Sequence, residues 1–184
     1  STGEVATDFS THTKKFGFLT NLSTSTSQRY LDPPTLDNFH NFGRTGKAFF
    51  RLDYQFDQNN SIRGVFNFGG SNFQVPNRFA QELAGQDQRQ RLRDNAQNIS
   101  FQHIFSPDSV LQLSFFHRQS NSKLSSNPTS FPVNATQDRT LQNYGGIASV
   151  SLTRGNHNLK FGGQFTITPV DEHFSFYPTV PFPD

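Results

Sequence analysis

From Ala48 onward apolar and polar residues alternate one by one: Ala48, Phe50, Leu52, Tyr54 and Phe56 fall on one phase, while Arg51, Asp53, Gln55 and Asp57 share the other with Phe49. A period of two puts successive side chains on opposite faces of a β-strand. The same rhythm returns in Ile62, Phe66, Phe68, in Ile99, Phe101, His103, Phe105, and in Leu111, Leu113, Phe115. It continues through Tyr144, Ala148, Val150, Leu152 and through Leu159, Phe161, Phe165, Ile167, with Phe16, Phe18 and Leu22 as a weaker first member. These runs predict strands near residues 15–26, 45–57, 61–70, 96–106, 110–119, 141–153 and 158–168. Helical periodicity is confined to Arg78–Asp94, which reads as a short helix inside a loop.

Residues paired across a hairpin point to the same side, so the phases of neighbouring strands constrain the turns. The last two runs require Leu152 opposite Leu159, leaving Gly155-Asn156 as a two-residue turn, and Gly and Asn tolerate the positive φ such turns need. This register also places Gly146 opposite Phe165 and Ala148 opposite Gly163. The second and third runs demand an odd loop, met by Asp57–Ser61 or its inner three residues, with Gln55 opposite Arg63. The fourth and fifth give Pro107-Asp108-Ser109. The other connections, 27–44, 70–95 and 118–140, are long. Short and long therefore alternate, and an all-β, antiparallel up-and-down meander of about seven strands gathers every tight turn at one end and every long loop at the other.

Composition narrows what such a sheet is for. Only 32% of the 184 residues are hydrophobic and 16% charged, while Ser, Thr, Asn and Gln supply more than a third of the chain, beside 22 Phe and no Cys, Met or Trp. Without Cys, disulfides and thiolate chemistry are excluded. A mean hydropathy of −0.65 would suggest disorder, but 14% aromatic content placed with period two contradicts it. The formal net charge of +2 is a small excess, so no nucleic-acid partner is expected. No apolar run reaches the roughly 18 residues of a spanning helix, and no secretion signal opens the chain. The missing initial Met suggests a processed chain or an internal piece of a longer one.

One apolar and one polar face suit either a soluble β-sandwich or an outer-membrane barrel. Sandwich loops are usually short at both ends, whereas outer-membrane barrels pair short periplasmic turns with long extracellular loops. Nine residues from Ala48 to Phe56 reach about 30 Å at roughly 3.3 Å per residue, enough to cross a thin outer membrane when tilted. A wet lumen accepts the polar phase, whose lumen-facing candidates for ligand contact are Arg51, Asp53, Arg63, Gln102, Gln112, Arg118, Lys160 and Gln164. The apolar runs 99–105 and 111–115 are short for spanning strands, and His103 and His117 lie on the lipid phase. Seven strands would leave open edges and an odd count, so the wall is expected to be incomplete, with Pro181–Asp184 reading as another loop. A secreted β-sandwich for adhesion or glycan binding is the alternative, and a Gln/Asn-rich aggregating β segment a third reading.

Several segments resemble the β-barrel of TonB-dependent outer-membrane receptors, in particular the Oar-like group that begins with a carboxypeptidase-regulatory-like domain. They are Tyr30-Leu31-Asp32-Pro33, Asp37–Asn41, Arg51–Tyr54, Val75-Pro76-Asn77 with Ala84–Arg89, Gln102–Pro107, Asn143-Tyr144-Gly145 and Arg154–Gly163. The resemblance implies a bacterial outer-membrane location, contact with outer-membrane lipid, and a barrel of about 22 strands around a plug. It also implies an imported ligand of unidentified nature and energy from TonB through that plug. The plug, the TonB-contacting segment and the closing strand are not in this stretch, which would be roughly a third of the wall.

Chemistry beyond binding finds little support. The six His are scattered without metal-ligand spacing, so no metal site and no cofactor are expected. Asp171-Glu172-His173 is better explained as a solvated rim than as a catalytic group, and Gly69-Gly70-Ser71 lacks the rest of a nucleophile elbow. Gln86–Arg93, with three Arg among Gln residues, reads as a solvated extracellular loop. No catalytic residue is expected, and the chain is read as a non-enzyme.

Overall fold

The computed structural model describes residues 1–179; the loop expected at Pro181–Asp184 lies outside them. Nine strands form one antiparallel sheet: β1 Thr2–His12, β2 Phe16–Ser27, β3 Gly43–Gln55, β4 Asn60–Gln74, β5 Arg89–Ser106, β6 Ser109–Ser125, β7 Val133–Arg154, β8 His157–Ile167 and β9 Val170–Pro178. Each of β1 to β8 pairs with its neighbour in sequence, and β9 pairs with β7.

Two strands were not foreseen. β1 carries only Val5, Ala6 and Phe9 among polar and charged residues, too little apolar contrast for a period to show. β9 prolongs β8. Tyr144 faces Ile167 and Leu141 faces Val170 at unchanged register, the line being broken only at Thr168-Pro169, where proline has no N–H for the ladder. The Pro169 carbonyl still accepts from Gln142 N at 3.0 Å. The sheet thus has eight continuous staves, an even number.

The expected long loops are shorter than the phases suggested, because strands run on past their apolar stretches. β5 starts at Arg89, β6 ends at Ser125 and β7 starts at Val133. Of the helix expected over Arg78–Asp94, only α1, Phe79–Leu83, forms. At 22 residues, β7 reaches about 73 Å at roughly 3.3 Å per residue, well beyond any apolar band.

The turns follow strand phase with small shifts. Arg154 pairs with His157 around Gly155-Asn156, Gly155 having φ +58°. Between β3 and β4, Asp53 and not Gln55 faces Arg63, a slip of two residues that preserves the faces. The tight Asp57-Gln58-Asn59 turn takes up the slip: the Asp57 carboxylate accepts from the backbone N–H of Asn59 and Asn60 at 2.7 and 2.9 Å. Between β5 and β6 a bulge at Phe105 lets Ser106 pair with Ser109, leaving a two-residue Pro107-Asp108 turn.

One face is apolar over a sharp band. Along β6 it shows Leu111, Leu113 and Phe115, then His117, Gln119, Asn121 and Lys123; along β7, Leu152, Val150, Ala148, Gly146 and Tyr144, then Gln142, Thr140 and Asp138. The two His on this phase lie at opposite borders. His103 Nδ1 is 2.7 Å from Asn60 Oδ1 beside the turns, and His117 stacks on Tyr144, ring centroids 4.4 Å apart, where the band ends. Among the described residues no hydrophobic side chain is buried, and no second sheet covers the band; Phe115, Phe161 and Phe165 are 51%, 61% and 57% exposed.

Candidate binding face and loop cap

The other face carries the polar phase, and the register arranges it in rows across the strands. One row runs Gln55, Ser61, Gln102, Gln112, Ser149 and Gly162, and the next Asp53, Arg63, Ser100, Ser114, Ile147 and Gln164. Asp53 accepts from Arg51 Nε at 2.7 Å and from Arg63 Nε at 2.6 Å. Five of the eight candidate residues, Asp53, Arg63, Gln102, Gln112 and Lys160, border one hollow of about 590 Å³ toward the tight turns. Arg51 reaches it through Asp53.

The remaining two lie elsewhere. Arg118 is farther up the wall, its Nη2 2.9 Å from Asp94 Oδ2. Gln164 faces Ile147 and bonds weakly to Thr166 at 3.4 Å.

A larger hollow of about 830 Å³, toward the long loops, was not anticipated. Glu4, Tyr30, Lys47, Asp94, Ser120 and Arg139 contribute its polar groups, and Arg93 of the opposite phase also borders it. Lys47 shares the phase of Arg51 and Asp53 and could have been found from it. Asp94 and Arg139 lie in stretches whose mixed polar sequence resembles loop, so no alternation marked them. Between the hollows the same face turns apolar, with Leu19, Phe49, Val65, Phe116 and Ile147. Phe116 fits because Gly145 faces it: a Cβ there would come 2.2 Å from the ring. On the opposite face Phe165 covers Gly146 in the same way, so the glycine pair admits one aromatic on each side of the wall.

Above the sheet the three long connections interlock. Asn77, fully buried, donates from Nδ2 to Glu82 Oε2 at 2.9 Å and to the Gln86 carbonyl at 2.8 Å. Its backbone N–H bonds the Phe39 carbonyl, joining the first loop to the second. Gln86 Oε1 accepts from Phe131 N, and Asn127 and Thr129 donate to the Gly85 carbonyl, joining the second to the third. Asn41 closes the first loop on itself through Leu31 and Asn38.

His40, at φ +51°, places Nε2 2.8 Å from Asp87 Oδ1. Arg89, bonded at 2.7 Å, is the chief cause holding the Asp87 carboxyl below the usual range. Tyr30 folds over Gly43, where a Cβ would collide with its ring, stacks on Phe73 at 4.8 Å and bonds Thr45 at 2.7 Å. The cap is thus an ordered platform over the larger hollow. Its buried groups are polar and most of them pair with one another, as a loop without an apolar core requires, Asn77 Oδ1 being left without a partner.

Among the described residues no three His, Cys, Asp or Glu converge as metal ligands. What the face offers is charged and amide side chains on a rigid wall, suited to reversible contact with a polar ligand.

No family model and no curated protein matches the chain. Its fold is similar to a solved structure, the ferric yersiniabactin uptake receptor FyuA from Yersinia pestis, with a TM-score of 0.52 over 88% of this chain at 10% identity. The chain spans 31% of that receptor's length. At that identity the likeness concerns the fold: an antiparallel wall of the kind found in a large barrel.

Proposed function

We propose that this wall belongs to a TonB-dependent receptor of the bacterial outer membrane, and that its polar face lines the path of an imported ligand. The observation that carries the reading is the sorting of side chains. Eight staves hold an uncovered apolar band on one side and charged and amide groups on the other, with tight turns at one end and an ordered loop cap at the other. In water the exposed Phe band would cost roughly 25 cal/mol per Å² of apolar surface, whereas lipid makes it favourable. Ladder groups left open on the outer staves have no water to bond inside a membrane, so the wall needs further strands to close.

In that setting the cap is extracellular and recognises the ligand, while the hollows below it form part of the lumen. The apolar inward residues Leu19, Phe49 and Phe116 suit contact with a plug, through which TonB would deliver energy. The ligand class is that of a polar small molecule, matching the charged and amide groups of the hollows; the similar receptor takes up ferric yersiniabactin. The work is binding and passage, without covalent chemistry.

The test is to express the full-length protein in a Gram-negative host, separate the membranes, and probe binding to the periplasmic domain of TonB. Recovery from the outer-membrane fraction only with detergent, heat-modifiable mobility and TonB binding are expected. A monomeric protein soluble without detergent would overturn the reading and favour a secreted module.

A further inference from the structure

The three arginines of Gln86–Arg93 do not lie in a loop. Arg89, Arg91 and Arg93 are the first alternate positions of β5 and share the phase of the apolar band. Register extends the cluster sideways: Arg44 faces Asn72, Asn72 faces Arg91, and Arg91 faces Lys123. Arg89 and Lys123 have carboxylate partners, Asp87 and Asp138. Arg44, Arg91 and Arg93 have none among the described residues.

The ground beneath them is shaped. Gly46 and Gly70 face each other one row below Arg44 and Asn72. Nothing lies within 4 Å of a Cβ built at Gly46, while Arg93 lies across Gly70, its Nη1 2.6 Å from the Cβ position. The result is an open hollow of about 560 Å³ bordered by Ala48 and Phe68 at the top of the apolar band and by Arg44, Asn72 and Arg93 above. Arg44, Arg91, Arg93 and Lys123 also line an adjoining hollow of about 630 Å³.

We infer that this is a binding site for an anionic lipid whose headgroup carries phosphate, with the acyl chains along Ala48 and Phe68 and the phosphate between Arg44 and Arg93. Guanidinium forks match phosphate geometry, and unpaired arginines just above an apolar surface suit a lipid headgroup better than bulk water or the hydrocarbon itself. A free anion would leave the apolar floor unused. The site rests on the membrane-wall reading above; by strand phase Arg44 and Arg93 belong to the side of the wall away from the imported ligand, and Arg93 also borders the larger hollow across Gly70.

The experiment places the full-length protein in phosphatidylcholine nanodiscs doped with bisphosphorylated lipid A or with the same lipid dephosphorylated, and measures retained lipid by native mass spectrometry. R44Q/R93Q is expected to weaken retention of the phosphorylated form about 25-fold, at about fivefold for each arginine beside an anionic lipid. R154Q, on the same face at the turn end, should leave retention unchanged. Salt near 1 M should weaken wild-type retention without any mutation, which separates charge from misfolding. Equal retention by R44Q/R93Q, or equal retention of the dephosphorylated lipid, would overturn the proposal. Failure of the wall reading would look different: wild type and variants alike would stay soluble and never enter a nanodisc, which would overturn both.

Discussion

Leu113 lies midway along the apolar run of β6, facing Phe101 on one side and Ala148 on the other, and is 41% exposed in the isolated wall. Gln112 precedes it on the same strand with its side chain on the polar face. Replacing each by Arg puts the same charge one residue apart on opposite sides of the wall. An Arg facing lipid near the bilayer midplane costs about 2–4 kcal/mol, falling to about 0–1 near the interface. L113R should therefore lower the folding equilibrium about 30-fold to about 900-fold, while Q112R, facing water, should stay within about 0.5 kcal/mol of wild type. H117R, at the border of the band, should fall between them. The assay is reversible urea unfolding of the full-length protein in phospholipid vesicles, read by heat-modifiable gel mobility and tyrosine fluorescence. If Q112R costs as much as L113R, or if L113R costs less than about 0.5 kcal/mol, the assignment of faces to lipid and water is wrong.

N77A should leave the barrel intact but loosen the cap. It removes both donors from a fully buried Nδ2, a local loss of about 1–3 kcal/mol, visible as faster hydrogen exchange and proteolysis across residues 75–88. G145A should destabilise by about 1–3 kcal/mol, because its methyl group meets the Phe116 ring and the Phe165 backbone carbonyl; adding F116L should recover only the part due to the ring in the same unfolding assay. The Asp57 carboxyl is held below its ordinary value chiefly by the Asn60 side chain, then by the Asn59 backbone. A lowered folded-state value means stabilisation that is complete above the ordinary carboxylate range and is lost as pH falls through the lowered value. Wild type should thus lose unfolding resistance between about pH 4 and more acid conditions relative to D57N, in which this contribution is absent at every pH; parallel pH profiles would refute it.

Strand order and faces were legible because Phe and Leu contrast with Arg, Asp and Gln at a period of two, and lipid-facing strands need that contrast only where lipid is. Where β5, β6 and β7 rise past the band, both faces meet water and the alternation disappears. Arg89–Asn95, Ser120–Ser125 and Val133–Thr140 therefore looked like loop. β1 was hidden by the same lack of contrast, and β9 by Pro169. The slip between Gln55 and Asp53 opposite Arg63 shows a further limit: phase determines register only modulo two, and the choice belonged to the carboxylate of Asp57 in the turn. Of the polar face, the set around Asp53 was readable because it lies on strands with strong alternation. The cap's connections, Asn77 to Phe39 or Gln86 to Phe131, join residues far apart in sequence that carry no periodic signal.

The arrangement of charge separates what the two faces can recognise. On the polar face the carboxylates are largely consumed: Asp53 by Arg51 and Arg63, Asp94 by Arg118 with Ser120. Paired ions of this kind, exposed to water, add little to stability and leave a weak net field. The field in the hollows then comes from cations without a carboxylate among the described residues, Lys47, Arg93 and Arg139 above and Lys14, Lys15 and Lys160 below, with Glu4 opposing them in the upper hollow. A ligand crossing the wall would meet these groups in sequence, with amide and hydroxyl side chains between them that bond without holding. On the apolar face the arginines have no such dilution. They stand together in the two rows above Phe68, where a phosphate can stay bound while its chains remain in lipid. One sheet thus offers a weakly holding polar path on one side and an anchoring contact on the other, because a β-strand sends neighbouring residues in opposite directions.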